Sequence, residues 1–262
     1  MPWVLKGISD GILTSKYPRK SDGYGETWRG SIKISPNNLG LDLSHVAKSC
    51  PTNAINIEQT HPQVDLGLCI LCGNCIDLCG DIFSFQPDFE SAKLDRDLLV
   101  VPETVEDRER LRAVRAALYL RVRTLRRSIA IRHVDCGSDG SEEWEISALT
   151  NPIYDVQRLG ITFTASPRHA DILLVTGSGS TGMIDSLKET YLQMPHPKAV
   201  IAVGTDAISG GMHRNSASTA KNGVDGLIPV DVYVPGSPPS PFGILYAILL
   251  AVGTISNRGK PC

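Results

Sequence analysis

The sequence lacks a long apolar run and a secretion signal. Its longest apolar stretch, Phe242–Gly253, has twelve residues, whereas a helix needs about 20 to span a bilayer. The first twenty residues contain no apolar core between a basic start and a small-residue cleavage site. We therefore expect a protein that is cytoplasmic and does not cross the membrane.

The sequence also lacks a strong charge of either sign. It has 26 Lys and Arg against 28 Asp and Glu, with a net charge of −2, which argues against nucleic acid as a partner. Apolar residues make up 42% of the 262 residues, enough for one large domain or two modest ones, each with a real core.

Disulfide-like cysteine spacing is missing as well. Four of the seven cysteines lie within the eleven residues Cys69–Cys79, whereas a disulfide framework spreads its cysteines along a secreted chain. This clustering indicates a metal site in a reducing compartment.

The clustered cysteines have the spacing of a bacterial ferredoxin motif. Cys69, Cys72, Cys75 and Cys79 follow the pattern C-x2-C-x2-C-x3-C, in which the last cysteine ligates the other cluster of a two-cluster protein. The remote fourth ligand should then be a Cys-Pro, and Cys50-Pro fits. We predict one 4Fe–4S cluster on Cys50, Cys69, Cys72 and Cys75, with Cys79 as the alternative fourth ligand. A zinc site is the competing hypothesis, although zinc prefers two C-x2-C pairs.

A second cluster is not expected. The upstream half would need ligands at three positions counted back from Cys50, and these hold Gly40, Leu43 and Val46. None of these side chains can bind iron.

The remaining pattern alternates short apolar strands with helical lengths, which predicts an α/β domain with a mostly parallel sheet. The predicted strands are Ile129–Val134, Ile161–Ala165, Ile172–Val175, Val200–Val203 and Ile228–Val234. The predicted helices are Glu142–Thr150, Gly182–Met194 and Pro241–Val252. Before them, an apolar stripe predicts a helix over Val105–Arg127 that carries eight arginines, either as a solvated face or as a docking surface for a partner or anionic headgroups.

Two segments near the start resemble a known family. These segments, Gly11–Pro18 and Trp28–Gly30, together with the cysteine region, are similar to the ferredoxin-type subunit of respiratory complex I and of group 4 nickel–iron hydrogenases, including formate hydrogenlyase. Members normally carry two 4Fe–4S clusters, of which this chain keeps ligands for one.

The second half resembles the small subunit of the same complexes (the 20 kDa subunit of complex I). The matching segments are Ile131–Asp135, Ala148–Asp155, Ser166–Gly177, Gly204–Gly211 and Val230–Pro241. In that family four cysteines hold a cluster next to the large subunit, and the resemblance places their positions at Asp139, Glu142, Asp206 and Ser237. We therefore expect no cluster in this half.

The three acids and the serine leave three hypotheses open. They could fill the vacated pocket by hydrogen bonding, bind a hard cation such as magnesium or calcium, or conduct or sense protons, because crowded carboxylates raise each other's pKa.

The resemblance implies a fusion of two subunits that are usually separate. We expect a ferredoxin-like α+β domain at 1–95, an arginine-rich linking helix at 96–127, a flavodoxin-like α/β domain at 128–255 and a tail at 256–262. The implied role is a non-catalytic electron-transfer subunit of a complex I-like oxidoreductase. It would lie peripherally on the inner face of the cell membrane, beside a hydrogenase large-subunit-like protein (the complex I 49 kDa type) and membrane-arm subunits. The alternative is a scaffold that links the large subunit to the membrane arm, with its cluster as a staple or redox sensor.

Overall fold

The computed structural model describes residues 3–20, 24–35, 43–58, 61–102, 108–125, 128–220 and 222–255. The predicted tail at 256–262, Gly40 and both ends of the predicted arginine-rich helix lie outside these ranges. Within them, no helix is both long and apolar enough to cross a bilayer.

The first half contains a small unit, residues 31–101, that we call the cysteine unit. Its elements, which follow helix α1 (Trp3–Asp10), are β1 (Ser31–Ile34), α2 (Ser44–Ser49), β2 (Ile55–Glu58), β3 (His61–Asp65), α3 (Asn74–Leu78), β4 (Phe83–Gln86) and β5 (Val100–Val101). The outer strands β1 and β4 pair antiparallel, as do the inner strands β2 and β3. Strand β5 pairs with β3 and lies past residue 95, where the sequence places a domain boundary.

The second half is built on one parallel sheet. Its elements are α4 (Arg108–Val122), β6 (Ile129–Asp135), α5 (Ser141–Ala148), β7 (Ile161–Phe163), β8 (Ile172–Thr176), α6 (Ile184–Gln193), β9 (Ala199–Val203), α7 (Gly204–Ser209), β10 (Val232–Val234) and α8 (Pro241–Ala251). The strand order is β7-β6-β8-β9-β10, and every pairing is parallel. This is the doubly wound order of flavodoxin-like sheets, so the predicted parallel α/β sheet is confirmed.

Two predicted boundaries are wrong by four residues or more, and one helix was missed. The last strand begins at Val232 rather than Ile228, because the backbone N–H groups of Leu227 and Ile228 turn back to the carbonyl of Val224. Helix α4 ends at Val122 rather than Arg127. The short helix α7 was not predicted, because six residues carry too little periodicity.

Both faces of the sheet are covered. Ile172 and Leu174 of β8 join one apolar core, which includes α4 and α8. Leu173 and Val175 point to a second core, which includes α6, α7 and the cysteine unit. Since the side chains of a strand alternate between faces, the cysteine unit covers the same face of the sheet as α6 and α7.

The arginine-rich helix is held by its apolar stripe and by ion pairs. Leu118, Val122 and Leu125 are buried in the first core. Arg110 pairs with Asp95 and Asp97, and Arg121 pairs with Asp231. Part of the basic face therefore binds this chain's own carboxylates.

Candidate functional site

Four cysteines line one pocket in the cysteine unit. They are Cys50, Cys69, Cys72 and Cys75, and the remaining wall is mainly apolar, with Ile32, Ala54, Ile55, Val64 and Ile70 among its residues. Cys50 follows the end of α2, Cys69 and Cys72 lie on the loop between β3 and α3, and Cys75 is in the first turn of α3. All four are free thiols, of which Cys72 is exposed and Cys75 is buried.

The backbone around the pocket is shaped to hold sulfur. The N–H of Ala54 donates to Cys50 Sγ at 3.2 Å, and that of Leu71 donates to Cys69 Sγ at 3.4 Å. Leu71 and Gly73 both have a left-handed φ, at 55° and 91°. In the turn that follows Cys50, Asn53 has the same left-handed conformation, with φ at 53°. Such residues turn the chain sharply, so the thiols of the loop reach one pocket.

The thiols are crowded in a poorly hydrated place. Burial, with smaller contributions from the nearby thiols of Cys75, Cys50 and Cys72, raises the pKa of Cys69 to about 12, although the hydrogen bond from Leu71 opposes this. Burial and Cys72 also raise the pKa of Cys75. A buried thiolate needs a compensating cation, and iron or zinc in this pocket would supply one.

Cys79, the alternative fourth ligand, is placed differently. It caps the end of α3 through its N–H to the carbonyl of Cys75 at 2.9 Å, and it packs against the apolar core. It does not belong to the residues that line the cysteine pocket.

A second polar cluster, the acidic pocket, lies at the carboxyl edge of the parallel sheet. It consists of Asp139 after β6, Glu142 at the start of α5, and Asp206 after β9, with Ser141 between the first two. Glu142 is 1% exposed. Gly204 must stay a glycine, because a Cβ there would lie 2.4 Å from Glu142 Oε1.

One hydroxyl joins two of these carboxylates. Ser141 Oγ lies 2.6 Å from Asp139 Oδ1 and 3.1 Å from Glu142 Oε2. A hydroxyl has one proton to donate, and the shorter contact gives it to Asp139. A protonated Glu142 can then donate its own proton to Ser141 Oγ. Burial, together with the charges of Asp206 and Asp139, raises the pKa of Glu142 to about 7, although hydrogen bonds from the backbone and from Ser141 oppose this.

Asp206 and Asp139 differ in their surroundings. Burial raises the pKa of Asp206, although His213 opposes this. Hydrogen bonds from the side chain and backbone of Ser141 lower the pKa of Asp139, which is exposed. Asp139 is therefore ionised at neutral pH, whereas Glu142 takes up a proton as the pH falls below about 7.

Ser237 lies in the loop after β10 and is exposed. It directly follows Gly236, whose carbonyl accepts the backbone N–H of Thr205 at 2.7 Å. The loops after β9 and β10 therefore meet beside Asp206. In the described part of the chain, no three His, Cys, Asp or Glu side chains lie close enough together to hold a single metal ion, in the acidic pocket or in the cysteine pocket. The hard-cation hypothesis therefore gains no support from the acidic pocket.

Residues outside the cysteine and acidic motifs also shape this edge. Thr205 is fully buried, and its Oγ1 lies 3.1 Å from the carbonyl oxygen of Cys69. His133 Nε2 lies 2.9 Å from Thr176 Oγ1, which donates to Glu143. A hydroxyl residue directly after an apolar strand and a glycine was the available signal for Thr205. Nothing in the sequence paired His133 with Glu143.

Comparisons with known proteins place the second half in a family. The protein family described as the 20 Kd subunit of NADH ubiquinone oxidoreductase matches residues 139–251. Formate hydrogenlyase subunit 7 of Escherichia coli strain K12 is 36% identical over 164 residues, which are 63% of this chain and 62% of that protein. The probable membrane-bound hydrogenase subunit mbhJ of Pyrococcus furiosus is 42% identical over 134 residues, 51% of this chain and 80% of that protein.

NAD(P)H-quinone oxidoreductase subunit K of a Picosynechococcus strain is 44% identical over 114 residues, 44% of this chain and 47% of that protein. Since the alignment covers four-fifths of the Pyrococcus subunit, this chain belongs to the family of the NADH ubiquinone oxidoreductase 20 kDa subunit. It spans less than two thirds of formate hydrogenlyase subunit 7 and about half of subunit K.

The raised pKa of Glu142 predicts a stability that falls as pH rises. Because its pKa in the folded state is about 7 and its ordinary value is 4.5, the folded chain binds the extra proton between these values. The free energy of unfolding should therefore fall by on the order of 2 kcal/mol from pH 4.5 to 7 and level off above. Urea unfolding across this range measures the slope.

Glu142→Gln should remove this part of the slope. Glu189→Gln, at an exposed position on α6, should keep it. Equal slopes in wild type and E142Q would show that Glu142 ionises in the folded chain as it does in water.

Proposed function

We propose that this chain is an iron–sulfur electron-transfer subunit of a membrane-associated, complex I-like or group 4 hydrogenase-related oxidoreductase complex. In this proposal it fuses a ferredoxin-type unit to a small-subunit-type α/β domain. The observation that carries the proposal is that Cys50, Cys69, Cys72 and Cys75 line one pocket. The names of its relatives, which include a formate hydrogenlyase and a membrane-bound hydrogenase, support the type of complex.

The pocket suits a 4Fe–4S cluster better than a single ion. Such a cluster is held by four thiolates that each bind a different iron, so the thiolates must surround one pocket without converging on one point. The apolar wall and the N–H groups aimed at two sulfurs also fit this group. The strand–helix–strand order on each side of the β2–β3 hairpin supports a ferredoxin-like unit. A bound cluster would accept and release single electrons.

The proposed partners are a hydrogenase large-subunit-like protein and membrane-arm subunits on the cytoplasmic side of the cell membrane. Helix α1 supports a place at the membrane surface. Trp3 is 84% exposed and Ile8 75%, and Ile12 and Leu13 continue the exposed apolar surface. Lys6, Lys16, Arg19 and Lys20 lie in the same segment. Exposed apolar side chains with basic neighbours are typical of interfacial helices.

A scaffold role is the second candidate, and the acidic pocket favours it. The positions where the family has four cluster cysteines hold Asp139, Glu142, Asp206 and Ser237 here, and thiolates are what stabilise an iron–sulfur cluster. Without a cluster at this edge, electrons lose the family's route to the large subunit. The surviving cluster would then be a folding staple or redox sensor.

Iron and sulfide counting tests the cofactor. The chain purified without oxygen should contain about four iron and four labile sulfide atoms, as one 4Fe–4S cluster requires. Cys50→Ser, Cys69→Ser and Cys75→Ser should each lose most of this iron. Cys79→Ser should retain it and serves as the matched control.

Three results would contradict this prediction. Iron-free wild-type protein would show that the chain binds no cluster. About eight iron atoms would indicate a second cluster in the acidic half. Loss of iron in C79S together with retention in C50S would make Cys79 the fourth ligand.

The two candidate roles differ in whether the reduced cluster passes its electron to the partner complex. The wild-type chain, reduced with dithionite and freed of excess reductant, is mixed with the oxidised partner complex. For an electron-transfer subunit, the EPR signal of the reduced cluster should disappear and a partner centre should gain an equal number of electrons. For a scaffold, the signal should persist as long as it does without the partner, while the two still copurify.

The proposed membrane contact is tested with vesicles. The chain should sediment with vesicles that contain phosphatidylglycerol, and added salt should weaken this binding. Ile8→Glu and Trp3→Glu should each reduce binding by roughly tenfold or more, because burying one such side chain contributes about 1.5–3 kcal/mol. Leu192→Glu, at a position on α6 that is 69% exposed, should bind as wild type does. If I8E and W3E bind as well as wild type, α1 does not contact lipid.

A further inference from the structure

One hydrogen bond joins the acidic half of the molecule to a cysteine of the pocket. Thr205 lies in the first turn of α7, and its Oγ1 is 3.1 Å from the carbonyl oxygen of Cys69. The contact spans 136 residues of sequence. Thr205 is fully buried, so water does not compete for this bond.

The hydroxyl of Thr205 is available for Cys69. It also lies 3.1 Å from the carbonyl of Gly236, and a hydroxyl donates only one proton. The backbone N–H of Thr205 already donates to Gly236 at 2.7 Å. We therefore assign the hydroxyl proton of Thr205 to the carbonyl of Cys69, which would otherwise lack this donor.

This bond fixes the part of the loop that reaches the sulfur. The N–H of Cys69 donates to the carbonyl of Asp65 at 3.0 Å, and the carbonyl of Cys69 accepts from Thr205. Leu71, two residues after Cys69, has a left-handed φ, and its backbone N–H donates to Cys69 Sγ. Because both sides of Cys69 are held, the Leu71 N–H stays directed at the sulfur.

We infer that Thr205 is a positioning residue, through which the α/β half orients the Cys69–Leu71 segment and so raises the reduction potential of the cluster. The inference rests on the proposed function. Hydrogen bonds to cluster sulfurs are one of the factors that set the potential, because a donor stabilises the more negative, reduced state. The family's ligand position at Asp206 is adjacent to Thr205, so the segment that has lost its own thiolate acts here on a neighbouring cluster.

The test compares Thr205→Val with Thr205→Ser by redox titration, followed by EPR, on the full chain with its cluster. T205V keeps the shape and lacks the hydroxyl, so its midpoint potential should become more negative and its EPR signal should change. T205S keeps the hydroxyl and should match wild type. Ser209→Ala is the control, because Ser209 Oγ donates to the Thr205 carbonyl at 3.0 Å within the same helix.

Each outcome has a distinct meaning. An iron-free wild type refutes the proposed function and, with it, this inference. A loaded wild type with an unchanged T205V overturns this inference alone. Equal shifts in T205V and T205S also overturn it, since packing would then be the cause. Loss of iron in T205V, with retention in T205S and S209A and an unchanged far-ultraviolet circular dichroism spectrum, supports it.

Discussion

The burial of helix α8 is the constraint on which the rest of the structure depends. All of its eleven residues are buried. The helix begins at Pro241, and the side chain of Ser240 caps it by accepting the Gly243 N–H at 3.2 Å. Its first aromatic residue, Phe242, packs against Tyr17, Tyr24, Phe89 and Tyr154, with ring centroids 4.7–5.8 Å apart. Tyr17 and Tyr24 precede the cysteine unit, Phe89 lies within it, and Tyr154 belongs to the α/β half. This aromatic cluster therefore joins the two halves on one face of the sheet, and the second core joins them on the other.

At that meeting place the molecule uses two kinds of pocket. The cysteine pocket is apolar and directs N–H groups at sulfur, which suits thiolates that share their charge with iron. The acidic pocket holds oxygen ligands and a serine hydroxyl. Burial and neighbouring carboxylates disfavour the charged form of an acid, and the pKa of Glu142 is accordingly raised to about 7. Glu142 therefore gains a proton at a higher pH than an acid in water does.

The sequence was informative where chemistry repeats with a fixed spacing. Alternating apolar strands predicted the parallel sheet, because a strand such as β8 is buried on both faces. The spacing of Cys69, Cys72 and Cys75 selected three residues that the loop places in one pocket. Contacts between distant segments were not predictable in this way. The Thr205 bond to Cys69 depends on how two halves pack, and the neutral state of Glu142 depends on the close approach of Gly204.

The packing also bears on the proposed electron-transfer role. The carbonyl of Cys69 contacts Thr205, which precedes Asp206, so the cysteine pocket lies directly beside the acidic pocket at the carboxyl edge of the sheet. Among the four pocket cysteines, Cys72 is exposed, whereas Cys69 and Cys50 are half-buried and Cys75 is buried. An outside redox centre therefore comes closest to the proposed cluster at the surface around Cys72. In the proposed role, electron transfer through this chain would require a partner at that surface and would not need the acidic pocket.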